Sequence, residues 1–442
     1  MLGSVKISRT INPFNKVIDV PGDKSISIRV ILLNAQSLGE SKIYNLLESD
    51  DVKSTILSMK KLGVVIKKRK NFYEINGVGL EGFIKKKSIY INAGNSGTLA
   101  RLLFGVVSNL NSDIYLSGDK SLSKRDFLRV IKPFKMFGVT FKKEKSTLPI
   151  IIRGTEYLRP IYYEENKGSA QVKSAIMLAA LRTEGLTVIK AVPSRNHTEL
   201  MFKKCINAPV TITKKNNHEL IKIKGRHNFN SFNYKVPGDI SSASFFIVLT
   251  LLANKSKLII KNVNINPSRI GIIEILKKMN VNIILQNKKD YKGEKVADIL
   301  VKSTKNIKSI NCPKYLNTKS IDEFLIIFLL CAKAKGVSRF NGINELRNKE
   351  SDRLRIASKF LKMIGIKVEE KSGSLKIHGK PDLKLKGNYF VNDFQKDHRV
   401  FMMSCVAALT LGGVFRINDK ISINSSFPNF LKILRNLGAK IS

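Results

Sequence analysis

Two apolar patterns alternate along the chain. In the first, a short stretch of small or polar residues leads into roughly a dozen mostly apolar ones with no polar face, which reads as a buried helix. These segments begin near Lys24, Asn95, Ser169, Asp239, Asp322 and Asp397. Successive starts therefore lie about 70 to 85 residues apart, the spacing of an array of repeats. The second pattern is an amphipathic helix closed by Gly or Asn and followed by a β-branched strand. Its endings are Leu62-Gly63-Val64, Phe137-Gly138-Val139, Ile206-Asn207-Ala208, Met279-Asn280-Val281, Ile364-Gly365-Ile366 and Leu437-Gly438-Ala439. Gly or Asn supplies the left-handed residue that terminates a helix. In residues 50–62, Val52, Ile56, Met59 and Leu62 share one face and lysines lie elsewhere.

Residues 64–68, 88–92 and 113–116 read as strands between these helices, so the chain is α/β, built from six units. Val236-Pro237-Gly238-Asp239 repeats Val20-Pro21-Gly22-Asp23, which signals duplication. The expected domains are therefore 21–236, and 237–442 together with an N-terminal strand in 1–20. The chain would cross between them near Val20 and Val236.

The balance of 43% apolar and 25% charged residues over 442 positions suits a globular protein with sizeable cores. The apolar runs 245–253, 324–332 and 400–411 are about half a membrane span, and residues 1–10 carry no signal-peptide core. A cytoplasmic protein without a membrane partner is expected. Cys205, Cys312, Cys331 and Cys405 lie far apart, and neither they nor the five histidines show metal-ligand spacing. The formal charge of +44 comes from lysines spread along the chain, as in Lys67-Lys68, Lys142-Lys143 and Lys277-Lys278, without an arginine-rich tail or aromatic interleaving. That argues against nucleic acid as the main partner.

The candidate chemistry gathers where the buried helices begin. In Pro21-Gly22-Asp23-Lys24-Ser25-Ile26-Ser27-Ile28-Arg29, Asp23, Ser25 or Ser27 can cap a helix running toward Gly39, with Lys24 and Arg29 at its mouth. Unpaired N–H groups, a partial positive charge and two cations suit a phosphate monoester. Asn95-Ser96-Gly97-Thr98 opens the second helix, with Arg101 reaching back one turn. A basic loop, 118–125, contains Arg125; Ser169-Ala170-Gln171 caps the third helix, and Ser194-Arg195-Asn196-His197 opens the surface helix after it. The charged stretch 345–353 expects Lys349 and Arg353 on one helical face with Glu350 beside them. Asp322-Glu323 and Asp397-His398-Arg399 stand at the fifth and sixth helix mouths. Gly77-Val78-Gly79-Leu80-Glu81-Gly82 matches a dinucleotide fingerprint but is rejected, because a strand at 88–91 leaves no room for the required helix.

Residues 21–29, Gly94-Asn95-Ser96-Gly97-Thr98, Lys349-Glu350-Ser351-Asp352-Arg353 and Asp397-His398-Arg399 together resemble, in order and over the whole chain, the motifs of the 5-enolpyruvylshikimate-3-phosphate synthase family. The resemblance implies two similar domains, each of three βαβαββ units, joined by a two-crossing hinge with the active site in the cleft between them. It implies transfer of the enolpyruvyl group of phosphoenolpyruvate to the 5-hydroxyl of shikimate 3-phosphate, by a monomer with no metal or organic cofactor. It places Lys24, Ser25, Arg29, Ser169, Ala170, Gln171, Ser194, Asp322, Glu345 and Lys349 on shikimate 3-phosphate. Phosphoenolpyruvate would meet Lys24, Asn95, Gly97, Arg125, Gln171, Arg353 and Arg399. Asp322 would take the 5-hydroxyl proton, and Glu350, with Lys24, would protonate the methylene carbon. The family's inhibitor glyphosate competes with phosphoenolpyruvate and needs space beside Gly97.

The chain departs from the commoner pattern at Asp23 (serine), Ile28 (Asn or His), Asp126 (proline), Ala170 (serine), Glu345 (Asn) and Ser425 (lysine). Most of these resemble a second bacterial class of the same enzyme. The alternatives are the related UDP-N-acetylglucosamine enolpyruvyl transferase, which would need Lys-Asn at 24–25 and a reactive loop cysteine, and a basic nucleic-acid-binding repeat protein.

Overall fold

The computed structural model describes residues 3–142, 146–392, 394 and 396–442. Met1 of the N-terminal stretch and Lys143 of the spread lysines lie outside them. The chain divides into two compact units, one of Met1–Pro21, Pro237–Asp290 and Lys295–Ser442, the other of Gly22–Val236 and Tyr291–Glu294.

In the unit Gly22–Val236 the helices Lys24–Ala35, Gly97–Val107 and Ala170–Ala180 are buried along nearly their whole length. A helix that is apolar all round must be covered all round, and neighbouring helices together with three four-stranded sheets supply the cover. Their orders are Tyr234–Lys235, Leu38–Tyr44, Phe72–Val78, Val65–Lys68; then Ser88–Asn92, Asp113–Ser117, Ile150–Arg153, Thr140–Lys142; then Tyr162–Glu165, Leu186–Ala191, His218–Lys224, Val210–Lys215. In each, the first pair is parallel and the next two are antiparallel.

The other unit repeats the scheme around the buried helices Ile240–Leu252, Phe324–Cys331 and His398–Leu411. Asn15–Asp19 runs parallel to Lys257–Asn264, which pairs antiparallel with Glu294–Lys302. Leu385–Val391 runs parallel to Gly412–Ile417, which pairs antiparallel with Val5–Ile7. Val337–Asn341, Ser374–His378 and Val368–Lys371 form an antiparallel sheet.

All six expected helix closures are left-handed: Gly63, Gly138, Gly365 and Gly438 have φ of 97°, 96°, 79° and 101°, and Asn207 and Asn280 have 47° and 63°. Five lead into strands. The sixth does not; Ser442 instead exchanges backbone hydrogen bonds with Lys6, at 2.7 and 3.1 Å. The first buried helix also ends earlier than expected, at Ala35, and Gly39 lies within a strand. Gln36 donates to the Leu32 carbonyl (2.6 Å) and Ser37 to that of Asn34 (2.8 Å), so polar side chains satisfy the last turn and stop it there.

The four cysteines are free thiols, three of them buried. Burial pushes Cys205 and Cys331 up to about 12 and Cys312 up to about 11. The thiolate is the reactive form, so a disulfide reagent at pH 8 should titrate the native protein slowly and all four thiols after denaturation. Rapid native reaction of more than Cys205 would contradict this packing. No helix among the described residues is long and apolar enough to cross a membrane.

Candidate active site

In the unit Gly22–Val236 the candidate residues stand at the mouths of the buried helices. Asp23, Ser96 and Ser169 cap them, accepting from the N–H groups of Ile26 (2.9 Å), Leu99 (3.2 Å) and Val172 (3.4 Å). Each cap uses one N–H and leaves the rest of the first turn with its partial positive charge. Lys24 Nζ lies 3.0 Å from Asp51. Arg29 is buried and spreads over three helices: Nε donates to Thr198 (2.8 Å), Nη2 to Ser174 (2.8 Å) and Nη1 to the Ser25 carbonyl (3.0 Å).

A second group surrounds Gly97. Arg125 donates to Asn95 Oδ1 (2.8 Å), and Asn95 donates to Asp119 (2.8 Å). Arg101, stacked 5.0 Å over the Phe127 ring, donates to the Gly97 carbonyl (3.2 Å) and to Gln171 Oε1 (2.9 Å), while Gln171 donates to Thr98 (3.0 Å). A Cβ at Gly97 would lie 2.9 Å from Arg101 Nη1 and 3.0 Å from Arg125 Nη1. Glycine therefore leaves a gap between two guanidinium groups. The Ser194 hydroxyl is buried without a hydrogen-bond partner, so it is available to a ligand. The helix His197–Lys204 that follows is more buried than its polarity suggests, because His197 pairs with Glu294 (2.6 Å), Thr198 with Arg29 and Glu199 with Lys173.

In the other unit, Arg353 organises the site. Its side chain is 1% exposed; Nε and Nη2 donate to Asp397 (2.8 and 3.2 Å), Nη2 also to Glu350 (2.6 Å), and Nη1 lies 3.5 Å from Asp322. Lys349 Nζ is 3.5 Å from the same Asp322 oxygen, and Arg399 donates to the Asp322 carbonyl (2.8 Å). Asp397 caps His398–Leu411, taking the Arg399 N–H (3.0 Å), and accepts from Ser351 (2.9 Å). Burial, the largest single effect, pushes the Asp397 carboxyl up, but the charge and hydrogen bonds of Arg353 together with the nearby His398 hold the group below its usual range. Burial pulls Arg353 down, and Asp397, Glu350 and Asp322 more than reverse this.

Lys349 and Arg353 do not share a helical face. Lys349 is extended and the helix Arg353–Met363 begins only at Arg353, capped by Asp352 through the Arg355 N–H (3.0 Å). Arg347 explains the break: it ties the preceding turn Asn344–Asn348 to Asp352 (2.8 Å), Glu370 (2.7 Å) and the Ser372 carbonyl (2.9 Å). The two cations meet at Asp322 instead. Glu345 is exposed on that turn, and Ser425 lies 3.3 Å from His398 Nδ1. Asp51 was not among the expected site residues, and Arg101 and Asp397, though placed at the expected helix mouths, were given no substrate role; each touches a residue that was. The signals were present, as an acidic pair at a helix start, an arginine one turn from Gly97, and an Asp at a cap.

The two-unit α/β fold is shared with a solved enolpyruvyl transferase. The solved enolpyruvyl transferase NikO from Streptomyces tendae aligns over 100% of this chain and 99% of its own with a TM-score of 0.75, and at 14% identity it shows the fold alone. The family is narrower. The model for EPSP synthase (3-phosphoshikimate 1-carboxyvinyltransferase) matches residues 8–434. The 3-phosphoshikimate 1-carboxyvinyltransferase of Ruthia magnifica is 38% identical over 98% of this chain and 97% of its own, and that of Zymomonas mobilis 39% over 98% and 96%. The solved EPSP synthase from Acinetobacter baumannii aligns over 100% and 99%, with TM-score 0.87 and 34% identity. This chain belongs to the EPSP synthase family.

Proposed function

We propose that the two clusters are the ligand sets with which the chain transfers the enolpyruvyl group of phosphoenolpyruvate to the 5-hydroxyl of shikimate 3-phosphate. The transfer itself follows from family membership and is a step of the shikimate route to chorismate and the aromatic amino acids. Lys24, Ser25, Arg29, Ser169, Ala170, Gln171, Ser194, Asp322, Glu345 and Lys349 hold shikimate 3-phosphate; Lys24, Asn95, Gly97, Arg125, Gln171, Arg353 and Arg399 hold phosphoenolpyruvate. Asp322 takes the hydroxyl proton as that oxygen bonds to the enol carbon, and Glu350 protonates the methylene. Removal of a proton from the resulting methyl group expels phosphate and restores the double bond.

The observation that supports these roles best is the placing of Asp322 and Glu350 against one guanidinium, Arg353, at 3.5 and 2.6 Å. The shared guanidinium orients both carboxylates, and Glu350 serves as proton donor once it has itself taken up a proton. The deciding assay is phosphate release from phosphoenolpyruvate: it should require shikimate 3-phosphate as acceptor, and release with UDP-N-acetylglucosamine instead would sink the reading. We also read the chain as a cytoplasmic monomer acting on small anions rather than nucleic acid, in keeping with the spread of its lysines. Sedimentation at working concentration tests the monomer.

Gly97→Ala is expected to weaken phosphoenolpyruvate and, more strongly, glyphosate. The new methyl group meets the ends of flexible arginine side chains, so the fold should survive, and overpacking of roughly 1 to 3 kcal/mol corresponds to about 5- to 150-fold in affinity. An unchanged ratio of glyphosate inhibition constant to KM would show that Gly97 does not set the size of this pocket.

A further inference from the structure

The unit Gly22–Val236 buries an ion cluster to which none of these assignments gives a role. Lys173, on the helix Ala170–Ala180, is fully buried, with Nζ 2.5 Å from Glu199 Oε1 and 3.6 Å from Glu219 Oε2. Glu199 lies on the helix His197–Lys204 and Glu219 on the strand His218–Lys224, and both are buried. Removing such charges from water is costly, and apolar side chains of similar volume often serve a core at least as well. Stability therefore gives little reason for a lysine here. What the ion pair does provide is a fixed spacing between two helices.

Both helices carry proposed ligands at their starts. Ser169, Ala170 and Gln171 open one, and Ser194 stands just ahead of the other. Beside Lys173 and Glu199, the neighbouring residues Ser174 and Thr198 are joined hydroxyl to hydroxyl at 2.7 Å, and both receive Arg29. Lys173–Glu199 and Ser174–Thr198 are thus adjacent rungs between the same two helices, and the outer contact of Lys173 to Glu219 anchors the ionic rung to the sheet. We infer that Lys173 and Glu199 are a positioning pair for shikimate 3-phosphate: they set the spacing of the helix starts that carry Ser169, Gln171 and Ser194. The inference rests on the proposed assignment of those three residues.

The test uses the full-length enzyme, with shikimate 3-phosphate affinity by calorimetry, KM and kcat, and melting temperature. Lys173→Met/Glu199→Leu removes both charges at once and is expected to melt near the wild type. Its affinity for shikimate 3-phosphate should nevertheless fall about 10-fold or more, since small misplacements of binding groups are costly, and KM should rise more than kcat falls. Lys173→Arg keeps the charge but not the ammonium geometry, and should reproduce the KM effect even if the double variant fails to fold. Normal affinity in either folded variant would overturn the inference, because the pair would then serve stability alone. Gln171→Ala and Ser194→Ala separate the two levels. If both bind like the wild type, the ligand assignment falls and the inference with it; if both bind weakly while the Lys173 variants bind normally, only the inference falls.

Discussion

Arg353→Met should cost about 3 to 5 kcal/mol of stability, the usual result of stripping the partner from a buried carboxylate. Asp397 is fully buried and takes two hydrogen bonds from Arg353, and no solvent can replace them. A urea titration followed by circular dichroism should show the midpoint falling with little change in slope. The pH dependence identifies the cause. Asp397 is held below the usual carboxylate range, so its contribution is fully present above the unfolded pKa of about 4 and is lost as pH falls through the folded value. Without Arg353, burial raises that pKa instead, so the variant should lose less stability on acidification than the wild type, or gain it. Parallel pH profiles for the two proteins would show that the Arg353–Asp397 pair does not dominate this unit.

Glu350→Gln should lower kcat by about 10²-fold or more while leaving both substrate affinities nearly unchanged. The amide keeps the shape and can still accept from Arg353 Nη2, which now makes a 2.6 Å contact with the carboxylate. What it loses is the capacity to give and take a proton. Glu350 is partly exposed and Asp397 carries most of the Arg353 fork, so the variant should fold. Near wild-type turnover would remove Glu350 from proton transfer and shift attention to Asp322.

The helices and their ends were the most legible part of the chain, because local chemistry decides them. Caps at Asp23, Ser96, Ser169 and Asp397 and left-handed closures at Gly63 or Asn280 need only a few residues of context. The helix stop at Ala35 was missed because it depends on Gln36 and Ser37 folding back onto the last turn, where polar side chains could equally have faced water. The Lys349–Arg353 face was misread for a longer-range reason. Arg347 reaches Glu370 in a hairpin some twenty residues on, and that tie holds Lys349 outside the helix. The motif residues could be recognised, but their partners could not: Asp51 for Lys24, Thr198 and Ser174 for Arg29, and Asp397 for Arg353 come from distant parts of the chain.

The left-handed backbone positions have a consequence for how freely this sequence can drift. Among the eleven described non-glycine residues with positive φ, six are asparagine (Asn45, Asn207, Asn216, Asn262, Asn280 and Asn287), the residue whose short amide best tolerates that region after glycine, and the others are Arg226, Lys255, Lys292, Lys396 and Asp419. A chain rich in Lys, Ile and Asn can therefore exchange glycine for asparagine at turns without altering where they bend. The same exchange is closed at Gly22 and Gly77, where a Cβ would meet backbone oxygens at 2.1 and 2.3 Å. Substitution pressure on this protein should thus spare glycines that touch backbone and consume those that only turn it.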